Sequence, residues 1–318
     1  MVRRLFGPAL DLRRAVGNAN TQLQAMAVQL GILQYRLLHS QVDDVRLLWD
    51  AEYSVFSQWG EDGILDFLCL RLGISRPAII DFGAGDISTA NGRWILTHLG
   101  GSAVFVDARA DLPETLRTSG LPFVSNTWAL RRYITDEDAS DTYDEGVGLL
   151  DGAVDIFMLD LDGQDYWILR SIKNLAAKVV VLEYMGLLGS QYCLTVPREP
   201  HFDRTQAHHS WLYYGASLPA YLDLMSRRGY QFVGTNSQRT NAFFVRSDLT
   251  GSLGEGFLSS MLTINNYVDS RINESRDLAG NLTFHQSDSR CLLIADQPFL
   301  NTVTGEVKAL RDHLAIGD

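Results

Sequence analysis

The residues best placed to do chemistry are a pair of glycines and a set of carboxylates. Ile79-Ile-Asp81-Phe-Gly83-Ala-Gly85-Asp86 runs from an apolar stretch into a turn. Glycines at such a turn allow tight backbone geometry and let the main chain approach a ligand closely. A second apolar stretch ends at Val106-Asp107, twenty-two residues after Gly85. An acid at the tip of a second strand is placed to take hydrogen bonds from both hydroxyls of a ribose. A dinucleotide fingerprint requires a third glycine, so that helix and strand pack closely beneath a pyrophosphate. Ser88 stands three residues after Gly85 instead, and Asp86 follows the second glycine directly. A carboxylate there repels a pyrophosphate and tolerates a sulfonium with an amino-acid tail. The pattern therefore favours S-adenosylmethionine over NAD or FAD, with Asp81, Gly83, Gly85, Asp86 and Asp107 as cofactor-binding residues. The competing reading is a tight turn beside a solvated aspartate.

Four further acids follow strand-like runs. Asp160, Asp162 and Asp165 come after Val154–Leu159, and Glu183 after Val179–Leu182. Ligands of an open parallel sheet bind beyond the carboxyl ends of its strands, so these acids converge on one cleft next to Gly83 and Gly85. Carboxylates sharing a cleft repel one another unless a cation or protons neutralise them. A hard divalent ion such as Mg²⁺ takes such oxygens and leaves positions for a substrate diol. Alternatively, Asp160 holds the amino group of the cofactor's methionine, and Asp165 caps a helix starting near Tyr166. His208 and His209 are the other base candidates, since histidine titrates near neutral pH and suits proton removal from a hydroxyl. They lie in the loop Gln206-Ala-His-His-Ser-Trp-Leu-Tyr-Tyr214, whose Trp211, Tyr213 and Tyr214 can stack on a sugar face. A pair of surface histidines and a local aromatic core are the bland counterparts. Ser57-Gln58 and Glu61-Asp62 precede the first strand and can fold over the methionine end of the cofactor, which adds Gln58 to the binding set. Otherwise they form a turn and a helix start.

The elements that must position these groups alternate in type. Ala78–Phe82, Ala103–Val106, Val154–Leu159 and Val179–Leu182 read as buried strands, and Pro122–Ser125 as a weaker one. Gly60–Gly73, Thr89–Leu99 with Ser88 as N-cap, Tyr166–Leu175 and residues 215–229 read as helices. Tyr230–Val233 and Ala242–Val245 form a late pair joined by a polar turn. The acidic stretch Asp136–Asp141 reads as a solvated loop and helix start. Alternating strands and helices predict a mostly parallel α/β sheet covered on both faces, Rossmann-like, with one antiparallel edge strand. Before it, Leu12, Val16, Ala19, Leu23, Met26, Leu30, Leu33 and Leu37 are spaced alternately four and three apart, the seam of a coiled coil. Either this is an amphipathic helix lying on its own domain, or it assembles the chain into a homo-oligomer. After Gly251 the pattern is irregular, with helical character at Met261–Ser270 and Val307–Leu314. The expected divisions are 1–50, an N-terminal helix; 51–250, the cofactor-binding domain; and 251–318, a C-terminal appendix.

Composition narrows the class. The chain has 318 residues, 46% of them hydrophobic, which excludes collagen-like and fully disordered chains. Its net charge of −11 argues against nucleic acid as a partner. The first fifty residues nevertheless carry +2, leaving −13 for the rest. Three distant cysteines, Cys69, Cys193 and Cys291, without a CxxC pair, argue for a reducing compartment and against a disulfide framework. No apolar run reaches the ~18 residues of a spanning helix. Pro8 and Asp11 interrupt the basic N-terminus, a poor signal peptide. A soluble cytoplasmic protein is expected.

Six stretches carry a resemblance when taken in order. They are Phe56-Ser-Gln-Trp-Gly-Glu-Asp-Gly63, Asp81-Phe-Gly-Ala-Gly85, Asp160-Leu-Asp-Gly-Gln-Asp-Tyr-Trp167, Val181-Leu-Glu-Tyr184, Tyr213-Tyr-Gly-Ala-Ser-Leu218 and Asn241-Ala-Phe-Phe-Val-Arg246. Together they resemble the FkbM-like group of class I S-adenosylmethionine-dependent methyltransferases, in particular a bacterial subgroup. Arg276-Asp277 with Asn281–Phe284 extends the resemblance to roughly residues 53–300, leaving the heptad segment outside. It implies a Rossmann-like methyltransferase fold and, for many relatives, small-molecule or glycan hydroxyls as acceptors. Relatives tend to carry Asn after the Glu-Tyr pair, where this chain has Met185. The DGxD of Asp162 and Asp165 is similar to the DGxH of metal-dependent sugar O-methyltransferases of this fold. By that likeness Asp162 and Glu183 are metal ligands and Asp165 is the base, with Asp in place of His. The resulting expectation is O-methyl transfer to a sugar hydroxyl of a glycan or glycolipid, assisted by Mg²⁺. The alternatives are a non-catalytic module of the same fold acting by oligomerisation, and an NAD-dependent oxidoreductase.

Overall fold

The computed structural model describes residues 2–258 and 270–314. The helix expected over Met261–Ser270 falls, apart from Ser270, outside the described residues. At the centre is a seven-stranded sheet of β1 (Ala78–Phe82), β2 (Ser102–Asp107), β3 (Asn126–Arg131), β4 (Ile156–Leu159), β5 (Val179–Glu183), β7 (Tyr230–Thr235) and β8 (Asn241–Arg246). Their order is β3-β2-β1-β4-β5-β8-β7. The first five are mutually parallel, with Ile79 opposite both Ala103 and Ile156. β8 is antiparallel to β5 and to β7. This is a mixed α/β, Rossmann-like architecture. The antiparallel strand is not at the edge as expected. β7 takes the edge, because the β7–β8 hairpin folds back and places β8 against β5.

Continuous apolar runs form the central strands because both of their faces are covered. Ile79 faces one core, with Leu68, Trp94 and Phe105. Ile80 and Phe82 face the other, with Tyr143, Phe157 and Tyr221. The first core is covered by α2 (Glu61–Leu72) and α3 (Arg93–Leu99), with α4 (Leu112–Thr118) beside β3. The second is covered by α5 (Ala139–Leu149), α6 (Asp165–Ser171) and α8 (Leu218–Arg227). Gly73 ends α2 in the left-handed region at φ +66°, as its position predicts.

Three local expectations are corrected. α3 starts at Arg93, not Thr89, because Asn91-Gly92 separates it from a single 3-10 turn, Ile87–Thr89. Asp86, not Ser88, caps that turn by accepting from Ser88 N at 2.9 Å. Pro122–Ser125 is not a strand: Leu121–Phe123 is a 3-10 turn and Phe123 is 89% exposed. The strand is Asn126–Arg131, whose edge position leaves it only half-buried and blurs its apolar pattern. Val307–Leu314 divides into β10 (Val307–Ala309) and α10 (Leu310–Leu314). β10, β9 (Pro298–Asn301) and β6 (Leu194–Thr195) make a second, small sheet. Cys291, Ile294, Phe299 and Leu310 fill a third core with Leu188, Leu194 and Leu212, with α9 (Ser287–Leu293) on its rim. Residues 291–310 are thus packed against the loops that follow β5.

The N-terminal helix α1 (Val2–Ser40) has two apolar faces. Val28, Ile32, Tyr35 and Leu38 pack against the first core. Tyr35 stacks edge-on to His98 with centroids 4.9 Å apart, and His98 Nε2 lies 3.1 Å from buried Asp66. Trp94 Nε1 donates to the same carboxylate at 2.7 Å. The heptad face points the other way, with Val16, Leu23, Met26, Leu30, Leu33 and Leu37 each 52–62% exposed. The helix therefore lies on its domain through a face other than the heptad seam.

Gly31 sets how closely α1 can sit. A Cβ there would be 2.5 Å from Val55 Cγ2 and 2.6 Å from Trp94 Cη2, whereas one at Gly17 would meet nothing within 4 Å. Gly31→Leu should therefore cost about 1–3 kcal/mol by overpacking, a fall of several degrees in Tm. Gly17→Ala should be neutral or stabilise by up to about 1 kcal/mol. Thermal melts of the two variants beside the wild type check the contrast, and equal Tm values would remove the docking role of Gly31.

Candidate active site

β1 lies between β2 and β4, so the chain leaves it in opposite directions on its two sides and opens a crevice at the carboxyl ends. A cleft of about 810 Å³ occupies that crevice. Of the expected residues, Gln58, Asp81, Gly83, Gly85, Asp86, Asp107, Asp160, Asp162 and Glu183 line it. Asp165, His208 and His209 do not.

The glycine turn is built by close approach. Gly83 has φ +91°, donates to Val106 O at 2.9 Å, and has the carbonyl oxygen of Asp160 where a Cβ would begin. Only glycine fits between the ends of β1 and β4. Gly85, at φ +54°, has no neighbour closer than Gly83 O at 3.9 Å from its Cβ position, so its side faces open cleft. Asp107 holds the turn by accepting from Gly85 N at 2.8 Å with one oxygen and from Arg109 N at 2.8 Å with the other. Asp86 is pulled below the usual carboxylate range, chiefly by the Ser88 N–H, with Arg109 and Arg93 adding to it. Asp81 sits deeper, 5% exposed, and is pushed up to about 7 by burial and by the charge of Asp107.

The segment before α2 is folded around two buried acids. One oxygen of Asp62 accepts from Val55 N, Phe56 N and Ser57 N at 2.7, 2.7 and 2.9 Å. Burial outweighs these bonds and raises Asp62 to about 6. Glu61 accepts from Trp59 N at 2.9 Å, and from the side-chain amides of Asn236 and Asn241 at 2.8 and 2.9 Å. It ties the loop to β8. Gln58 and Trp59 thereby line the cleft. Sequence reasoning gave Glu61 and Asn241 no separate role, although both lie in the quoted motifs.

On the opposite wall, Asp160, Asp162 and Glu183 each offer an oxygen within 4.8 Å of the others, a ligand set suited to a hard cation. Asp162 is held at φ +56° and is ion-paired with Arg204. The Arg204 guanidinium lies 4.8 Å over the Tyr214 ring, and Tyr214 Oη lies 3.5 Å from Glu183 Oε1. Enclosure by protein, and then the neighbouring acids, holds the Asp160 and Glu183 carboxyls well above their ordinary range. Arg204, ion-paired with Asp162, relieves part of the repulsion among these carboxyls that a cation would otherwise answer. Arg204, from the short helix α7 (Arg204–Ala207), escaped the sequence reading because no spacing ties it to the strand ends. Trp211, at φ +60°, also lines the cleft and carries Arg276 at 3.7 Å over its ring. Ser270, Ile272 and Glu274 close that side from the C-terminal segment.

The three residues expected to be catalytic lie off the cleft wall. Asp165 is 1% exposed, and its oxygens accept from Leu161 N at 2.7 Å and Gly163 N at 2.9 Å. It braces the β4–α6 loop from within and presents no free oxygen to the cleft. His208 Nδ1 bonds Ser210 Oγ at 2.7 Å, and its ring lies 4.2 Å from that of His209. Desolvation, then His209, lowers the pKa of His208. Both histidines sit behind Ser210 and Trp211, which take the places on the cleft wall.

No protein-family profile matches the chain, and no curated protein matches it. Among solved structures, an O-methyltransferase family protein from Burkholderia thailandensis matches 68% of this chain and 57% of its own, at 13% identity and TM-score 0.36. The pyocyanin biosynthetic protein PhzM matches 56% and 53%, at 14% identity and TM-score 0.33. Human N-acetylserotonin methyltransferase, in complex with S-adenosylmethionine, matches 70% and 56%, at 10% identity and TM-score 0.32. The chain thus spans little more than half the length of each. Likenesses this distant carry no weight on activity, and the fold class rests on the strand order itself. Among the described residues no helix is long and apolar enough to cross a membrane.

Asp81 gives the site a pH signature. Its folded pKa of about 7 lies above the unfolded value of about 3.9, so the folded state alone holds the proton between them. The stability this contributes is complete below about pH 4 and is lost as pH rises through about 7. Asp81→Asn removes the penalty of the ionised form. It should raise Tm by several degrees at about pH 8 and by little at about pH 5. A Tm difference between variant and wild type that is flat with pH would contradict the assignment.

Proposed function

We propose that the chain is an S-adenosylmethionine-dependent O-methyltransferase of the FkbM-like kind, acting on a sugar hydroxyl of a glycan or glycolipid. The observation that carries the reading is the glycine turn at the β1–β4 crevice, bound to Asp107 and followed by Asp86. The open side of Gly85 leaves room for an adenosyl group. Asp107 is at the strand tip from which ribose hydroxyls are reached. Asp86 is ionised beside the turn, which disfavours a pyrophosphate and with it NAD. The ligand supplies an electrophilic methyl group on a sulfonium. Asp81 and Asp160 face its cationic end, and Gln58 and Trp59 cover it from the loop that Asp62 and Glu61 hold.

The chain's own contribution is alignment, exclusion of water and removal of one proton. Positioning donor and acceptor in line is worth several kcal/mol of barrier. Trp211 and Tyr214 offer flat faces for a sugar ring at the acceptor wall. The Asp160–Glu183 pair takes the base role in place of Asp165, His208 and His209. Burial raises both carboxyls, which makes either one, when ionised, a stronger base for the acceptor's hydroxyl proton as the new O–C bond forms and the methyl–sulfur bond breaks. A divalent ion is the second form of the same proposal, supported by the three convergent carboxylates. Mg²⁺ there would lower the pKa of a bound hydroxyl, and Arg204 would have to release Asp162.

The first test is ligand-induced stabilisation. S-adenosylhomocysteine at about 100 times its Kd should add roughly 2.7 kcal/mol of stability, and NAD none. Asp107→Ala and Gly85→Val should each abolish the shift. Stabilisation by NAD and not by S-adenosylhomocysteine would identify an oxidoreductase instead. Labelled cofactor with a panel of sugars should then label a hydroxyl, and Glu183→Gln should cut that rate by about 10²-fold or more. Activity untouched by a chelator removes the metal. Cofactor binding without transfer to any acceptor favours a non-catalytic module.

A further inference from the structure

We propose that the outward face of α1 is covered by the same face of a second copy of this chain, the two helices pairing as a left-handed coiled coil. Val16, Leu23, Leu30 and Leu37 take one set of seam positions and Ala19, Met26 and Leu33 the other. The six large side chains among them are all more than half exposed on the single chain. Such a stripe in water is a binding surface by its size and continuity. Its period identifies the partner. Steps of four and three average 3.5 residues, which keeps a seam facing a partner helix only when both helices supercoil. A stripe meant for a globular surface follows 3.6 and is wider.

Among the described residues the domain of the same chain does not supply that partner helix, since α1 already docks on it through Val28, Gly31, Ile32, Tyr35 and Leu38. Identical helices meet no charge penalty here, because residues 15–35 contain no Asp, Glu, Lys or Arg. The seam is flanked by Gln22, Gln29 and Gln34, amides that can donate and accept across a pair of like helices. Over residues 15–35 the same lack of charge argues against a lipid surface, where an interfacial helix carries Lys and Arg along its polar face; the arginines of α1 are confined to Arg3, Arg4, Arg13, Arg14 and Arg36.

Sedimentation equilibrium of the full chain at about 5–100 µM tests the pairing. The expected mass is twice the 35.5 kDa of one chain. Leu23→Lys with Leu30→Lys should reduce it to one chain and leave the Tm of the domain, whose docking face is untouched, nearly as it was. Leu23→Gln with Leu30→Gln, milder for helix formation, should weaken association at least tenfold if the lysine variant does not fold. Wild type should not float with vesicles of phosphatidylcholine and phosphatidylglycerol. A single-chain mass for wild type across that range overturns the proposal. So does a charged variant that keeps the wild-type mass, or a wild type that floats with the vesicles.

Discussion

The carbonyl oxygen of Asp160 fills the space in which a side chain at Gly83 would start. That approach joins the ends of β1 and β4 at the point where the sheet changes direction. The rest of the cleft is arranged around it. Gly85 can present its open side only because Gly83 has already turned the chain, and Asp107 locks the result by bonding Gly85 N. Asp160 follows directly on the strand held by the same approach, so the acid wall and the glycine turn keep a fixed separation. Backbone contact of this kind does not adjust by rotating a side chain, which makes the two halves of the cleft one rigid unit.

Charge in the cleft is balanced from within the protein. Burial holds the Asp81, Asp160 and Glu183 carboxyls above their ordinary range, while Asp86 lies below its own, and Asp162 is ion-paired with Arg204. Burial and neighbours, not residue type, therefore set the proton affinity of each carboxyl.

The parts of this architecture that the sequence reveals are those with a single structural cause. β1, β2, β4 and β5 are covered on both faces, and burial alone writes their apolar runs. β3, at the edge, needs only partial burial, so its pattern gives way to the more apolar but exposed Pro122–Val124. The cleft-lining acids are legible because each follows a strand. Asp165 follows the same strand and is not in the cleft, since the N–H groups of Leu161 and Gly163 claim it, a choice made by loop geometry. Arg204 and Trp211 are placed by loops packed on the third core, and no local pattern announces them. The heptad seam is legible for the opposite reason: its period is independent of the domain beneath it.

The third core joins distant parts of the chain. Leu188, Leu194 and Leu212 support the loops that carry Arg204, Trp211 and Tyr214, and their packing partners Ile294, Phe299 and Leu310 lie near the C-terminus. As the chain leaves the ribosome, β1 to β5 can pair and close the glycine turn while the partners of that wall have yet to be made. Order must then reach the two sides of the crevice at different times, the glycine-turn side first. A newly made chain halted shortly before Ile294 would carry a formed sheet and turn but an unsupported wall at Arg204, Trp211 and Tyr214.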